Sequence, residues 1–305
     1  MARPQDTVSV LTVLQLVGGM ALFGSATPLS KIIGEAFPVF TASFARMAIA
    51  SLVLVPAVWW ATARFRGAMR SDIFVMAAIA AVGMVGFTAT MLFGMRLTTG
   101  VIGATIMSAT PAVTALAAVV FLGAAMNARK GGALALAVAG CVAINLFRED
   151  RGSAAGDLVL LGALLVAVAV CLEAAFTLLS RRLSDGISSP EVTLGASLMA
   201  LPFFVGLSFA FDARPLEFSG ASPREWAALL FWGAATGGLA PVLWYKGVRK
   251  APAALTAASM GMMPLTALGL SYVLLGEAFR WVHLLGFGLV FAGLVLMLLE
   301  HAREE

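Results

Sequence analysis

The chain has 305 residues, of which 61% are hydrophobic and 12% are charged, and its mean hydropathy is +0.97. A water-soluble domain cannot bury so much apolar surface, so the composition excludes a soluble globular protein and indicates a polytopic membrane protein surrounded by lipid. The net charge of +4 fits basic loops beside a membrane, and we expect no nucleic-acid partner.

Ten apolar stretches of suitable length to cross a bilayer follow one another along the chain, since a core of about 30 Å needs about 20 residues of helix. They are residues 9–30, 38–61, 72–95, 100–122, 131–147, 157–180, 190–210, 225–246, 252–275 and 281–299. The sequence therefore predicts an all-α membrane protein with ten transmembrane helices, called spans 1 to 10 below. We interpret span 1 as a retained span rather than a cleaved signal peptide.

The basic residues are unevenly divided between the two sets of loops. With a cytoplasmic N-terminus, twelve cations fall in cytoplasmic segments and seven in the outer loops. Because cytoplasmic loops carry an excess of Lys and Arg, this distribution favours a bacterial inner-membrane protein with both termini in the cytoplasm.

The sequence around Pro111 recurs 153 residues later around Pro264. The identical pairs are Gly94/Gly247, Arg96/Arg249, Ala104/Ala257, Met107/Met260, Pro111/Pro264, Leu122/Leu275, Gly123/Gly276 and Gly140/Gly293. Each copy holds five spans, an odd number, so the second copy must enter the membrane in the opposite sense. We predict two inverted five-helix repeats, residues 1–150 and 151–305, joined by the polar segment from Arg148 to Asp157.

Several functional classes lack their sequence signatures. No GxxxxGK[ST] phosphate loop occurs, which argues against a pump driven by ATP. Two histidines and two scattered cysteines form no metal-ligand cluster, and no Ser/His/Asp set lies at one depth for hydrolysis. We expect no cofactor, no metal site and no enzymatic activity, and we expect transport to draw on gradients.

Two charged residues fall well inside predicted spans, away from the span ends, where a charge costs several kcal/mol unless it meets water or a partner. Glu173 in span 6 suits a site for a proton or a substrate ammonium group, or it pairs with a cation such as Arg181. Arg46 lies about eight residues into span 2, where it can snorkel to the outer interface or face a substrate carboxylate. Lys31 fits an interfacial anchor.

One helical face of span 3 carries Met84, Thr88, Met91 and Met95, at spacings of four, three and four residues. Flexible thioethers beside a hydroxyl suit apolar substrates of varying shape, although methionine also fills ordinary core gaps. In the duplicated register, spans 4 and 9 carry Met107, Ser108, Thr110 and Pro111 opposite Met260, Gly261, Met263 and Pro264.

A proline in the middle of a helix removes one backbone hydrogen bond, so Pro111 and Pro264 predict kinks that either move or are fixed by packing. Tyr245, near the inner end of span 8, is open to an interfacial or a gating interpretation. Gly233 and Gly237 predict close helix packing in span 8. The six tryptophans, including Trp232, mostly lie near predicted span ends, as in an aromatic belt.

Several segments follow one another in a recognisable order and spacing: Ala21 to Lys31 with Pro38 and Arg46, then Gly238 to Tyr245, Met263 to Leu265, Leu274 to Glu277 and Leu285 to Gly293. In this order they resemble EamA-type carriers of the drug/metabolite transporter superfamily. The resemblance implies ten helices in two inverted repeats around a cavity lined by spans 1, 3, 4, 6, 8 and 9. Amino-acid exporters of the YddG type are similar in size and layout. Phe23 stands where the family often has Trp, and Glu277 has no charged counterpart at Ala124.

The sequence and this resemblance together predict a secondary transporter that exports small organic metabolites, in the first place neutral or aromatic amino acids, by alternating access. Glu173 is expected to bind a proton or an ammonium group. The expected substrate wall consists of Met84, Thr88, Met91, Met107, Ser108, Phe176 and Met260. The alternatives are a drug or nucleotide-sugar carrier of the same superfamily and, further away, an integral membrane enzyme or a channel.

Overall fold

A computed structural model describes residues 9–58, 70–122, 127–146, 154–180, 182–183, 187, 189–248, 250–251 and 259–304. Within these ranges the protein is helical and contains no strand, and its helices fall at the ten predicted spans. Several predicted features lie outside the described residues: positions 59–61 of span 2, 147 of span 5 and 252–258 of span 9, linker residues 148–153, Gly123, Ala124, Arg181 and Arg249.

The first repeat has irregular helices in three of its five spans. Span 1 consists of α1 (Val10–Gly24) and α2 (Ala26–Ala36), span 2 of α3 (Val39–Val58), span 3 of α4 (Arg70–Ile79), a π-helical segment (Ala80–Gly86) and α5 (Phe87–Leu97), span 4 of α6 (Gly100–Met107) and α7 (Thr110–Leu122), and span 5 of α8 (Ala128–Leu146).

The second repeat follows the same plan. Span 6 is α9 (Ala154–Ser180), span 7 is α10 (Ser189–Phe211), span 8 consists of α11 (Pro223–Phe231), a π-helical segment (Trp232–Leu239) and α12 (Ala240–Val248), span 9 is α13 (Met262–Leu275), and span 10 is α14 (Trp281–Glu304). The π-helical segments of spans 3 and 8 thus occupy equivalent positions in the two repeats.

The described helices have the length, composition and surface of a multi-pass membrane protein. Six stretches are long and apolar enough to cross a membrane, and the two halves of span 4, which meet at 40°, make a seventh if they form one broken span. Shorter apolar helices cover Gly131–Gly140, Met262–Leu275 and Trp281–Gly293. Large apolar side chains point outward, with Phe74 and Val273 each 77% exposed. Such a surface is stable in lipid and not in water.

The packing of the helices is symmetric under exchange of the two repeats. Span 1 packs on spans 8 and 9, and the equivalent span 6 packs on spans 3 and 4. The pairs 2 and 7, 4 and 9, and 5 and 10 each join two equivalent helices. An approximate two-fold rotation therefore relates the repeats.

The direction of this symmetry can be read from Gly140 and Gly293, which contact each other's helices at equivalent positions. A Cβ added at Gly140 would lie 3.0 Å from the amide nitrogen of Val290, and one added at Gly293 would lie 3.2 Å from that of Ala137. Residue 137 of α8 thus meets the later residue 293 of α14, while residue 140 meets the earlier residue 290. The two equivalent helices are antiparallel, so the second repeat is inverted.

Span 1 differs from the prediction, because it is broken at Ser25 and extends to Ala36 rather than ending at residue 30. Pro28 has no N–H to offer the carbonyl of Gly24, which weakens the helix at this point. The hydroxyl of Ser25 donates to the carbonyl of Leu22 over 2.6 Å, and that of Thr236 in span 8 donates to the same carbonyl over 3.1 Å. A side chain of the second repeat therefore supports the break.

Helix ends meet at one face of the molecule, called the capped face below and formed by residues 34–41, 96–101, 212–225 and 274–280. Side chains satisfy the terminal backbone groups there, as helix ends require. Arg96 donates to the carbonyls of Gly34 and Phe37, Asp212 accepts from the amides of Phe40 and Thr41, Glu277 accepts from those of Gly100 and Val101, and Arg224 donates to the carbonyl of Leu274.

Glu277 gives a physical role to the Leu-Leu-Gly-Glu segment. Gly276 ends α13 with a left-handed φ of 64°, which glycine adopts without strain. The following carboxylate, from the second repeat, then caps the first turn of α6 in the first repeat. The segment thus joins the two repeats at the capped face.

Candidate functional site

Glu173 meets the broken helix of span 4. Its Oε2 atom lies 3.0 Å from the hydroxyl oxygen of Thr110, the first residue of α7. The same hydroxyl lies 2.7 Å from the carbonyl oxygen of Met107, the last residue of α6. A carboxyl group of the second repeat is therefore held at the break in a helix of the first repeat.

Arg46 is held inside the protein by two other spans. Its Nη1 donates to the hydroxyl of Thr88 over 2.8 Å, and its guanidinium carbon lies 4.2 Å from the ring centroid of Trp232. Arg46 lies seven residues from the capped end of its helix, and Thr88 and Trp232 each lie nine residues from theirs, which corresponds to depths of about 10–14 Å.

Two expectations for these residues are therefore wrong. Arg46 does not snorkel to the interface, because its head group remains level with the buried Thr88 and Trp232. Trp232 does not belong to an interfacial belt, because its side chain is 0% exposed and begins the π-helical segment of span 8. A cation–π contact with a buried guanidinium explains its depth better than lipid does.

Glu173 and Arg46 lie at similar depths on different spans. Leu172, the neighbour of Glu173, packs beside Gly86 of span 3, at 3.2 Å from a Cβ added there. Thr88, the partner of Arg46, lies two residues further along the same span. At 1.5 Å of rise per residue, these two or three residues correspond to a difference in depth of about 3–5 Å, less than one helical turn.

The predicted wall residues divide between two neighbouring hydrophobic clusters. Met84 and Phe176 belong to the cluster that contains Trp232, and Phe176 fills the space beside Gly83. Met91 and Met107 lie in a second cluster formed by spans 3, 4 and 6, where they are 1% and 4% exposed. Thr88 belongs to neither cluster, is fully buried, and accepts a hydrogen bond from Arg46.

The kink region of the duplicated register is irregular in both repeats. Span 4 is interrupted at Ser108 and Ala109, and the buried Ser108 hydroxyl donates to the carbonyl of Ala104 over 2.7 Å. Span 9 is interrupted at Gly261, next to the partly buried Met260. Both interruptions begin three residues before a proline, Pro111 in span 4 and Pro264 in span 9, and the kinks expected at these prolines stay predictions. Pro264 is buried and Tyr245 is partly buried in α12, and their gating roles stay predictions.

Close packing of span 8 agrees with the prediction from its glycines. A Cβ added at Gly233 would lie 2.7 Å from that of Ile49, and one added at Gly237 would lie 2.9 Å from that of Ala50. Both contacts are with span 2, in the turn that follows Arg46. The glycines thus let Trp232 approach the guanidinium.

A helical membrane protein with two inverted repeats and interrupted central helices has the architecture of secondary transporters. The sequence profile of the EamA-like transporter family matches residues 10–146 and, in a second copy, residues 160–299. The chain belongs to this family, which makes it a membrane transporter of the drug/metabolite superfamily.

Two further likenesses agree with this assignment. The chain is 31% identical over 293 residues to the uncharacterized transporter YetK of Bacillus subtilis (strain 168), covering 96% of this chain and 88% of that protein. One solved crystal structure superposes with a TM-score of 0.66 at 18% identity, covering 95% of this chain and 98% of that chain, and at this identity the likeness shows the fold alone.

Proposed function

We propose that this protein exports small organic metabolites, specifically neutral or aromatic amino acids, across a bacterial inner membrane by alternating access. In this proposal both termini are cytoplasmic and the capped face is the outer face, as the distribution of basic residues favours. The partners are the substrate, the surrounding lipid and protons.

The proposal depends above all on the contact between Glu173 and Thr110. In inverted-repeat transporters, substrate and ion sites lie near the midplane where discontinuous helices expose backbone groups. Glu173 and Thr110 come from different repeats and meet at such a discontinuity. A relative movement of the repeats would therefore change the surroundings of this carboxyl group.

Hydrogen-bond accounting supports a proton at this position. A threonine hydroxyl has one proton to donate and can accept two hydrogen bonds. The Thr110 hydroxyl has two oxygens within reach, the carbonyl of Met107 at 2.7 Å and Glu173 Oε2 at 3.0 Å. If the hydroxyl donates to the carbonyl, a protonated Glu173 can donate its own proton to Thr110. When Glu173 is ionised, its carboxylate can accept a hydrogen bond from a substrate ammonium group.

The surrounding side chains fit an amino acid with an apolar side chain. Met84 and Phe176 provide a flexible thioether and an aromatic ring one helical turn from Glu173 or Thr88. The remaining proposed wall residues are Met91, Met107, Ser108 and Met260, and the proposed moving elements are centred on Pro111, Pro264 and Tyr245.

Transport in inside-out vesicles tests the proposal. We expect labelled neutral and aromatic amino acids to be taken up faster with a pH gradient than without one. Glu173→Gln should remove this dependence, whereas Glu35→Gln, an equal change at an exposed site of the capped end of span 1, should not. If Glu173→Gln keeps both the rate and the pH dependence, the coupling role is wrong. If none of the amino acids is transported, the substrate class is wrong.

A further inference from the structure

Arg46 is a cation inside the membrane, and no carboxylate of the described residues forms an ion pair with it. Its contacts in the described part of the chain are the hydroxyl of Thr88 and the ring of Trp232, both neutral. A guanidinium remains charged in proteins, and a charge at this depth is normally paired or faces water. No described residue thus supplies a counter-charge for Arg46, and a bound solute can supply one.

Two N–H groups near this charge lack a hydrogen-bond partner. They are the Nε of Arg46 and the indole Nε1 of Trp232, which are both buried and have no partner among the described residues. Arg46 as a whole residue is only partly buried. An acceptor with negative charge would satisfy both the charge of Arg46 and its Nε donor.

We propose that Arg46 is a specificity-determining residue that binds the carboxylate of the transported solute. A carboxylate is planar and matches the fork of a guanidinium with two parallel hydrogen bonds. A single negative charge is balanced by the single Arg46, whereas a doubly charged phosphate would need more cations. The inference rests on the proposed function, and it adds that the solute carries a carboxylate and that Arg46 binds it.

The neighbouring residues position the guanidinium for this task. Thr88 holds one Nη atom from span 3, and the face of Trp232 fixes the plane of the group from span 8. Glu173 differs from Arg46 in depth by less than one helical turn. In this proposal a zwitterionic amino acid places its carboxylate toward Arg46 and its ammonium group toward Glu173, and its side chain lies toward the cluster that contains Phe176.

Three probes of similar shape separate these contributions in proteoliposomes. Phenylalanine carries both charged groups, 3-phenylpropionate carries only the carboxylate, and phenylalaninamide carries only the ammonium group. We expect the native protein to prefer phenylalanine over phenylalaninamide. In Arg46→Gln this preference should fall by about tenfold or more, since the lost hydrogen bonds are to a charged group. Glu173→Gln should instead reduce the preference for phenylalanine over 3-phenylpropionate.

Arg46→Lys keeps the charge but loses the planar fork, so its preference should lie between those of the native protein and Arg46→Gln. Arg214→Gln removes an exposed cation of the capped face and should leave the preference unchanged. Should Arg46→Gln fail to fold, Thr88→Val, which frees the guanidinium, should still lower the carboxylate preference severalfold.

A purely structural Arg46 predicts a different result, in which the variants lose thermal stability and lose transport of every probe equally. An unchanged preference in Arg46→Gln, or in Thr88→Val where the former does not fold, overturns the inference. Equal transport of phenylalanine and phenylalaninamide by the native protein also overturns it while the proposed function stands. If the native protein transports neither these probes nor any of the labelled neutral and aromatic amino acids, the proposed function itself is refuted.

Discussion

Gly293 provides the sharpest test of the inverted packing, because a single added methyl group would enter the contact between equivalent helices. A Cβ at this position would lie 2.6 Å from the carbonyl oxygen of Ala133 in span 5. Gly288 lies in the same helix, away from its ends, and a Cβ there would meet nothing within 4 Å. The two positions thus form a matched pair for substitution by alanine.

The expected magnitude follows from the geometry. Ordinary van der Waals contact begins at 3.4 Å, so the distance of 2.6 Å between the added methyl group and the carbonyl oxygen of Ala133 is too short by about 0.8 Å. The two helices must therefore separate. A gap of 0.5–1 Å removes about a quarter to a half of the dispersion energy of each affected contact. Overpacking typically costs about 1–3 kcal/mol, whereas alanine gains up to about 1 kcal/mol in helix propensity at both sites.

Thermal unfolding in detergent, followed by near-ultraviolet circular dichroism, measures the difference. We expect Gly293→Ala to be about 1–3 kcal/mol less stable than Gly288→Ala. Gly140→Ala should behave as Gly293→Ala does, because the two-fold symmetry gives it an equivalent contact. The double variant should lose less than the sum of the two, since one separation of the helices relieves both contacts. Equal stability of Gly293→Ala and Gly288→Ala would refute the close antiparallel packing.

Two residues of the capped face give further predictions. Asp212→Ala should lower the free energy of unfolding by about 0.5–2 kcal/mol, because the first turn of span 2 loses its cap. Asp212→Asn, which keeps an acceptor oxygen, should lose less. Unfolding curves of Asp212→Ala that coincide with those of the native protein would exclude this role. Burial raises the pKa of Glu277 despite the hydrogen bonds from Val101 and Gly100, so the folded protein holds this proton more tightly than the unfolded chain. The contribution of Glu277 to stability should therefore be greatest below the unfolded pKa and decrease as pH rises through the folded value, and Glu277→Gln should flatten that slope.

The order of the spans and the duplication were predictable from the sequence, because both depend on long local patterns. A bilayer demands about 20 apolar residues per helix, so each span has a clear length and composition. The identity of Gly140 with Gly293 and of Pro111 with Pro264 marked the equivalent positions. The structure confirms the packing symmetry that these identities imply.

The role of Trp232 and the break at Ser25 could not be predicted in the same way. Each depends on a contact with another span: Trp232 lies under Arg46 of span 2, and Thr236 of span 8 binds the carbonyl at the end of α1. Pro28 was a local indication of the break, but proline is also common within the first turn of a helix. The position of Trp232 nine residues into span 8 was the available indication of its depth.

The irregular backbone is concentrated in the spans that the family resemblance places around a central cavity. Spans 1, 4 and 9 are interrupted, and spans 3 and 8 contain π-helical segments. Within a membrane, backbone that departs from the α-helix is tolerated where protein or a water-filled cavity satisfies its polar groups, not where lipid does. Span 6 is continuous over Ala154–Ser180, and it is the span that carries Glu173. The carboxyl group thus stands on a rigid helix while its partner Thr110 stands on an interrupted one, so opening or closing of span 4 would change the hydrogen bonding of Glu173 directly.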